Sequence, residues 1–208
     1  MRHTRTALTA LLATAALGLI VTTATAGRLS FSNQNFRAVW TSLEFETSSR
    51  NGKMLCPITI EGSFHNRSIA KRLGDLVGYI TRATVTNPCN GGSATVLTET
   101  LPWHIIYNGF EGTLPNISGT RFNLIGVSFR IFVGESGLEC LAASTSERPM
   151  RGTVNINAAH EALTLTPDRT AQIPLTGGIC SLTRGIILEN RGTVSVLGNN
   201  NSITITLI

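Results

Sequence analysis

The sequence has no Cys-x-x-Cys pair and only two aspartates, Asp75 and Asp168. Structural zinc sites use closely spaced cysteines and histidines, and dithiol redox centres use Cys-x-x-Cys. The long cysteine spacings therefore argue against a structural zinc site and exclude a dithiol redox motif. The scarcity of aspartate argues against an Asp-rich calcium loop. We expect neither a metal ion nor a cofactor.

The sequence also lacks a block of consecutive basic residues and a second long apolar run. Its 17 Lys and Arg against 12 Asp and Glu give a formal net charge of +5, but Lys71-Arg72 is the densest basic spot. Nucleic-acid binding needs clustered basic residues, so a nucleic-acid partner is not indicated. A spanning helix needs roughly 20 apolar residues, so we expect no membrane span after the N-terminal segment.

Residues 1–26 have the layout of a secretory signal peptide. Two arginines and a histidine lie among the first five residues, an apolar run follows over 7–21, and Ala24-Thr25-Ala26 has the small-x-small pattern of a cleavage site. The apolar run is too short for a membrane anchor. We therefore expect a secreted or cell-surface product of residues 27–208 that forms a single domain. Its formal charge falls to +3, because two arginines leave with the leader.

Four cysteines remain after the leader, namely Cys56, Cys89, Cys140 and Cys180. An even number of cysteines in an exported chain favours disulfides. Three connectivities are possible. We favour Cys56–Cys89 with Cys140–Cys180, because sequential pairing closes the shorter loops and keeps each half of the chain self-contained.

Apolar and polar residues alternate with a period of two along most of residues 27–208. In the run 122–133, one face carries Ile125, Val127, Phe129, Ile131 and Val133. Strands of antiparallel sheets with one buried face show this pattern, and turn-forming residues recur about every ten positions. The sequence therefore predicts an all-β fold, an antiparallel β-sandwich or jelly-roll. Within it, residues 185–208 are predicted to form a three-stranded meander.

Three segments resemble a group of uncharacterised exported proteins of high-GC actinobacteria. They are CPITIEGSFH at 56–65, ETLPWH at 99–104 and GTLPNI at 112–117. The resemblance extends over most of residues 27–208 and implies an exported β-rich protein. No function is known for the group, so no site residue is carried over from it.

Candidate catalytic residues are few. Glu44 and Glu46 share one face of a predicted strand, and with Glu61 they are the candidate acids of a glycan-active hydrolase. The alternative is that the two strand glutamates are solvated outer-face residues. Three histidines, His65, His104 and His160, remain after the leader, and no Gly-x-Ser-x-Gly elbow surrounds any serine. The sequence thus predicts no catalytic residue with a defined role.

The candidate ligand-binding residues are aromatic. Trp103 and Tyr107 lie in an aromatic-rich stretch and, if exposed on one face, form a stacking platform for a sugar ring. Aromatic residues in strands are more often buried in the core, and this is the competing interpretation.

The C-terminal residues 202–208 alternate threonine with branched aliphatic residues. Such a strand at a sheet edge offers a pairing site to another protein chain, whereas a central strand does not.

Taken together, these features predict a secreted, non-enzymatic β-sandwich that serves as an extracellular binding, surface or assembly module. A glycan or another protein chain is the candidate partner. The alternative is a secreted glycan-active hydrolase that uses paired carboxylates.

Overall fold

The computed structural model describes residues 27–47, 53–133, 138–168, 172–176, 184–187 and 191–208. The predicted leader and Cys180 lie outside the described residues. The described part contains sixteen strands and a short 3₁₀ helix at Thr98–Thr100. The strands are β1 (Arg28–Phe31), β2 (Asn35–Thr47), β3 (Lys53–Phe64), β4 (Ser68–Ala70), β5 (Leu76–Val85), β6 (Gly92–Val96), β7 (Trp103–Thr113), β8 (Asn116–Ile125), β9 (Ser128–Val133), β10 (Leu138–Ala143), β11 (Met150–Ile156), β12 (Glu161–Pro167), β13 (Gln172–Thr176), β14 (Arg184–Ile187), β15 (Gly192–Val196) and β16 (Ile203–Leu207).

Eight of these strands close into an antiparallel barrel in the order β12-β11-β8-β7-β5-β3-β2-β15. Strand β15 completes the ring, because Thr193 pairs with Thr164 of β12 on one side and with Val39 of β2 on the other. The predicted all-β antiparallel fold is confirmed. The strands close on themselves instead of forming the two facing sheets of a sandwich, because β15 joins what would otherwise be two free edges.

The sheet continues beyond the ring in two arms. One arm runs from β12 through β16 and β1 to β4, and the other runs from β2 through β14, β13, β10 and β9 to β6. The outer strand β6 is partly covered by a side chain. Asn87 donates from Nδ2 to the Ala94 carbonyl and accepts the Ala94 N–H at Oδ1, at 2.8 and 3.1 Å. These bonds satisfy backbone groups that an edge strand leaves open.

Alternation along each barrel strand decides which side chains enter the barrel. In β7, Trp103, Ile105 and Tyr107 are buried whereas His104 is exposed. Four phenylalanines from different strands meet inside, with Phe31 stacked on Phe64 at 4.1 Å between ring centroids and Phe36 and Phe122 beside them at 5.3 and 6.1 Å from Phe64. Burial of these rings supplies the hydrophobic stabilisation of the barrel.

Two glycines permit close approach of neighbouring strands. A Cβ atom at Gly192 would collide with the Trp40 indole, so a glycine at this point lets β15 lie against β2. A Cβ atom at Gly62 would collide with the Tyr79 carbonyl oxygen and lie 2.7 Å from the Phe36 ring. Gly62 follows Glu61 at a register shift between β3 and β5, where the sheet bends.

Cys56 and Cys89 form a disulfide, as predicted, with Cα atoms 4.7 Å apart. Cys56 lies in β3 and Cys89 lies in the segment that leads into β6, so the bond joins the barrel to the outer strand of one arm. Both cysteines are buried, and so is Cys140. The predicted pairing Cys140–Cys180 stays a prediction, because Cys180 is outside the described residues.

In the C-terminal region the predicted meander was wrong, whereas the interpretation of residues 202–208 as a central strand is confirmed. Strands β14, β15 and β16 do not form a meander, because they pair with β13 and β2, with β12 and β2, and with β12 and β1, respectively. Strand β16 is not an edge, since Leu207 pairs with Leu29 of β1 and Ile203 pairs with Ala162 of β12. The pairing of another chain to an open edge at 202–208 is therefore not supported.

We expect Cys56→Ser, Cys89→Ser and the double variant to lower the free energy of unfolding by a similar amount, about 4 kcal/mol. The reason is that each breaks the same bond, which closes a loop with a sequence separation of 33. Urea denaturation followed by tryptophan fluorescence measures the change. Additive losses in the double variant would contradict a bond between these two residues.

Thr120 is fully buried, and its Oγ1 has no hydrogen-bond partner among the described residues. We expect Thr120→Val to raise the free energy of unfolding by about 1 kcal/mol, because a methyl group removes the buried, unsatisfied hydroxyl without changing the shape. The matched control Thr120→Ser keeps the hydroxyl, loses a methyl and should lower stability by roughly 1 kcal/mol. Destabilisation by valine in the same urea measurement would show that the hydroxyl has a partner.

Candidate functional site

A polar depression of about 300 Å³ lies on the outer wall of the barrel. Six residues line it in two rows across three neighbouring strands. One row is Arg37, Glu61 and Arg82, and the next row is Val39, Thr59 and Thr84. We call this site the outer-wall depression. Each strand contributes two residues spaced two apart, which is the spacing that places side chains on one face of a strand.

Glu61 holds the two arginines of the outer-wall depression together. Arg37 donates from Nε and Nη2 to Glu61 Oε1, at 2.9 and 2.7 Å. Arg82 Nη1 lies 3.6 Å from Glu61 Oε2, an ion-pair distance beyond a good hydrogen bond. The three side chains carry one net positive charge. The Glu61 side chain is 12% exposed and that of Arg82 is 70% exposed, so the excess charge lies at the solvent side.

The remaining groups in the outer-wall depression are free to bind a ligand. The hydroxyls of Thr59 and Thr84 make no hydrogen bond to another described residue. Among the described residues, the polar partner of the Arg82 side chain is Glu61, through the ion pair. The site therefore presents guanidinium and hydroxyl donors together. Val39 adds an apolar surface beside Thr59, on the β2 side of the depression.

An aromatic pair borders this surface. Tyr79 of β5 and His104 of β7 pair in register and pack edge to face, with ring centroids 5.5 Å apart. His104 is exposed and Tyr79 is half-buried. Tyr79 and Arg82 both face outward on β5, although they are three residues apart. The reason is the register shift between Glu61 and Gly62, which leaves one residue of β5 between Ile80 and Arg82 without a partner on β3. The pair thus offers an aromatic surface next to the charged cluster.

Trp103 and Tyr107 do not form a platform on the surface. They are 1% and 2% exposed and face the core. Trp103 Nε1 donates to Thr100 Oγ1 at 2.8 Å, and its ring meets Phe129 edge-on at 5.6 Å. Tyr107 packs edge-on against Phe122 at 6.4 Å. The alternation along β7 points Trp103 and Tyr107 into the barrel, so the competing interpretation of them as core residues is confirmed.

The three candidate acids do not converge on one site. Glu44 lies opposite Leu55 of β3, six residues before Glu61, which corresponds to roughly 20 Å along the strand. Paired carboxylates of glycosidases lie about 5–9.5 Å apart. Glu44 is also held by Lys53, with Nζ 2.7 Å from Oε1. Glu46 shares the outer face with Glu44, as the alternation predicted, and both are half-buried.

The described contacts of the three histidines do not include a catalytic partner. His160 is in the left-handed region with φ of 62°, and its buried Nδ1 has no hydrogen-bond partner among the described residues. Glu161, its neighbour in sequence, accepts a hydrogen bond from Asn157 Nδ2 at 2.8 Å. His65 and His104 are both exposed, and His104 packs against Tyr79. A base with an orienting acid is therefore not built around His160.

Described residues inside the barrel line two small cavities of about 50 and 30 Å³. Five residues line both, namely Ile60, Ile80, Leu124, Gly152 and Leu165. A cavity that binds benzene has about 150 Å³, so these voids do not hold an organic ligand without rearrangement. An eight-stranded ring is narrow enough for side chains to fill, and here they nearly fill it.

Within the described residues, no group of three or more His, Cys, Asp or Glu side chains is arranged to hold a metal ion. Helices with the length and hydrophobicity needed to cross a membrane are likewise not found in this part of the chain.

Comparison of the chain with protein-family models, with curated proteins and with solved structures finds no match.

Arg37, Arg82, Tyr79 and the outer-wall depression are not evident from the sequence pattern. A local signal exists, since each of the pairs Arg37-x-Val39, Thr59-x-Glu61 and Arg82-x-Thr84 has the spacing of two that places both side chains on one face of a strand. What joins them is the register of β2, β3 and β5, which is a non-local property. The sequence predicts Glu61 as a candidate acid, whereas its position between Arg37 and Arg82 makes it an ion-pair partner.

Burial raises the pKa of Tyr107 above its ordinary value of 10.0, and the nearby Arg121 opposes this in part. A phenol whose pKa is higher in the folded than in the unfolded protein stabilises the fold while it is protonated in both states. This stabilisation is lost as the pH rises from the unfolded pKa through the folded pKa. We therefore expect the contribution of Tyr107 to stability to fall as the pH rises above 10. The Tyr79→Phe variant leaves Tyr107 as the sole tyrosine, so its absorbance near 295 nm reports this group. Ionisation at the ordinary pH in the folded protein would contradict burial of the phenol.

Proposed function

We propose that this protein is an exported, non-enzymatic binding module that uses the outer wall of its barrel. The observation that carries the proposal is the outer-wall depression, in which a charged cluster and free hydroxyls from three strands share one concave surface. Groups held by a rigid sheet are preorganised, which lowers the entropy cost of binding.

Export is part of the proposal and is supported by two observations. The first is the leader-like layout of residues 1–26, and the second is the Cys56–Cys89 bond, which is typical of oxidising compartments. The resemblance to exported actinobacterial proteins agrees with this location. We therefore propose a secreted or cell-surface protein.

The alternative of a glycan-active hydrolase has less support. Glu61 accepts two hydrogen bonds from Arg37, and Glu44 is paired with Lys53. Both carboxylates are therefore already bound to a cationic side chain of the protein instead of being presented to a substrate. The separation of Glu44 from Glu61 also exceeds the span of a glycosidic bond and its attacking water.

The ligand class favoured by this surface is a glycan. Saccharides offer hydroxyls for Thr59, Thr84 and Glu61, and they offer C–H faces for the Tyr79–His104 pair. Trp103 and Tyr107 are buried, so the aromatic surface proposed for a sugar ring is instead the Tyr79–His104 pair, which faces outward on β5 and β7.

A glycan array probed with residues 27–208 tests the proposal. We expect the wild-type protein to bind a subset of glycans and to leave them chemically intact, as judged by chromatography after prolonged incubation. The Thr59→Tyr variant fills the outer-wall depression and should lose most of this binding. The matched control Thr113→Tyr places the same side chain on an exposed threonine at the end of β7 that is remote from the outer-wall depression, and it should bind normally.

Equal binding by both variants would contradict the assigned surface. Cleavage of a glycan by the wild type, lost in Glu44→Gln or Glu61→Gln, would favour the hydrolase instead. Failure of the wild type to bind any glycan would overturn the proposed ligand class.

A further inference from the structure

We propose that the outer-wall depression is an oxyanion site, which binds a carboxylate or phosphate group of an acidic glycan through Arg82. This inference rests on the proposed function, because it names the ligand class of the same surface. It adds a defined chemical preference that a general glycan-binding surface does not require.

The charge balance of the cluster leaves Arg82 in excess. Arg37 places both Nε and Nη2 on Glu61 Oε1, so these two groups form the closer pair. Arg82 stays 3.6 Å from the other carboxylate oxygen and is 70% exposed. A guanidinium has five N–H donors, and an incoming oxyanion can take two of them side by side.

The neighbours of Arg82 complete an anion site. Thr84 lies two residues along β5 on the same face, roughly 7 Å away, and Thr59 lies opposite Thr84 on β3. Their hydroxyls are unpaired among the described residues and donate readily to a second or third oxygen of the anion. Glu61 holds Arg37 in place without cancelling the charge of Arg82.

The position of the cluster on the outer wall also favours a group that is part of a larger ligand. The depression is open to solvent, and the Tyr79–His104 pair lies beside it on β5 and β7. A sugar ring over this pair, linked to an anionic group at Arg82, contacts both features at once. A small free anion contacts only the charged part.

Amide chemical shifts test the assignment directly. ¹⁵N-labelled protein of residues 27–208 is titrated with a uronic-acid tetrasaccharide, with a phosphorylated glucose tetrasaccharide and with a neutral glucose tetrasaccharide. We expect one or both acidic probes to shift the amides of Thr59, Arg82 and Thr84, and the neutral probe to bind at least about tenfold more weakly. Comparison of the two acidic probes tells carboxylate from phosphate.

Two variants separate a built site from general electrostatic attraction. Arg82→Gln should weaken binding of the acidic probe by about tenfold or more, because it removes the charged donors. Arg130→Gln removes the same charge from β9, where Arg130 pairs with Glu139, and should bind as the wild type does. Thermal unfolding of both variants confirms that each is folded.

Equal weakening by Arg82→Gln and Arg130→Gln would overturn the oxyanion site in favour of unspecific attraction. Binding of neither acidic probe would overturn it as well. If the neutral probe binds as tightly as the acidic ones and Thr59→Tyr still abolishes binding, the oxyanion site fails while the proposed binding function stands. Loss of the proposed function itself is recognised by a wild-type protein that binds none of the glycans.

Discussion

Closure of the eight-stranded ring is the constraint on which the rest of this structure depends. The short strand β15 supplies it by pairing with β12 through Thr193 and Thr164 and with β2 through Thr193 and Val39. A closed ring gives each barrel strand two neighbours and defines one inside and one outside for every side chain. Gly192 is required at this point, because the Trp40 indole occupies the space of a side chain.

Closure also determines where binding chemistry is possible. The inside is narrow, so Phe31, Phe36, Phe64 and Phe122 fill much of it, and the void that these described residues line is small and apolar. Polar residues then face outward, and short threonines beside long arginines leave a concave surface between the strands. The outer-wall depression is therefore a consequence of side-chain length on a rigid sheet.

The two arms leave the ring at β12 and β2, the two strands that flank β15, and each packs apolar side chains against the barrel. Phe129 of β9 meets Trp103 and Phe45 edge-on at 5.6 and 5.9 Å, so this arm shares the barrel core. The Cys56–Cys89 bond joins the same arm to β3 covalently. These contacts explain why aromatics that look available for a ligand in the sequence are used for packing instead.

Much of the local structure follows from the sequence. Alternation predicted the strands and the solvent-facing side of Glu44 and Glu46, and the even number of cysteines led to the Cys56–Cys89 pair. The alternation could not predict that β14, β15 and β16 pair with other strands instead of with one another, because the pattern of one strand does not identify its partner. The same limit hid the cluster of Arg37, Glu61 and Arg82, whose members are far apart in the chain.

The sequence by itself determined that the chain is built of antiparallel strands with one apolar face, since a period of two fixes the side of each residue. Only the tertiary structure decided which face is the inside of a ring, which strands are neighbours and which polar groups meet. The physical reason is that the phase of a strand is local, whereas register and closure depend on hydrogen bonds between segments distant in the chain.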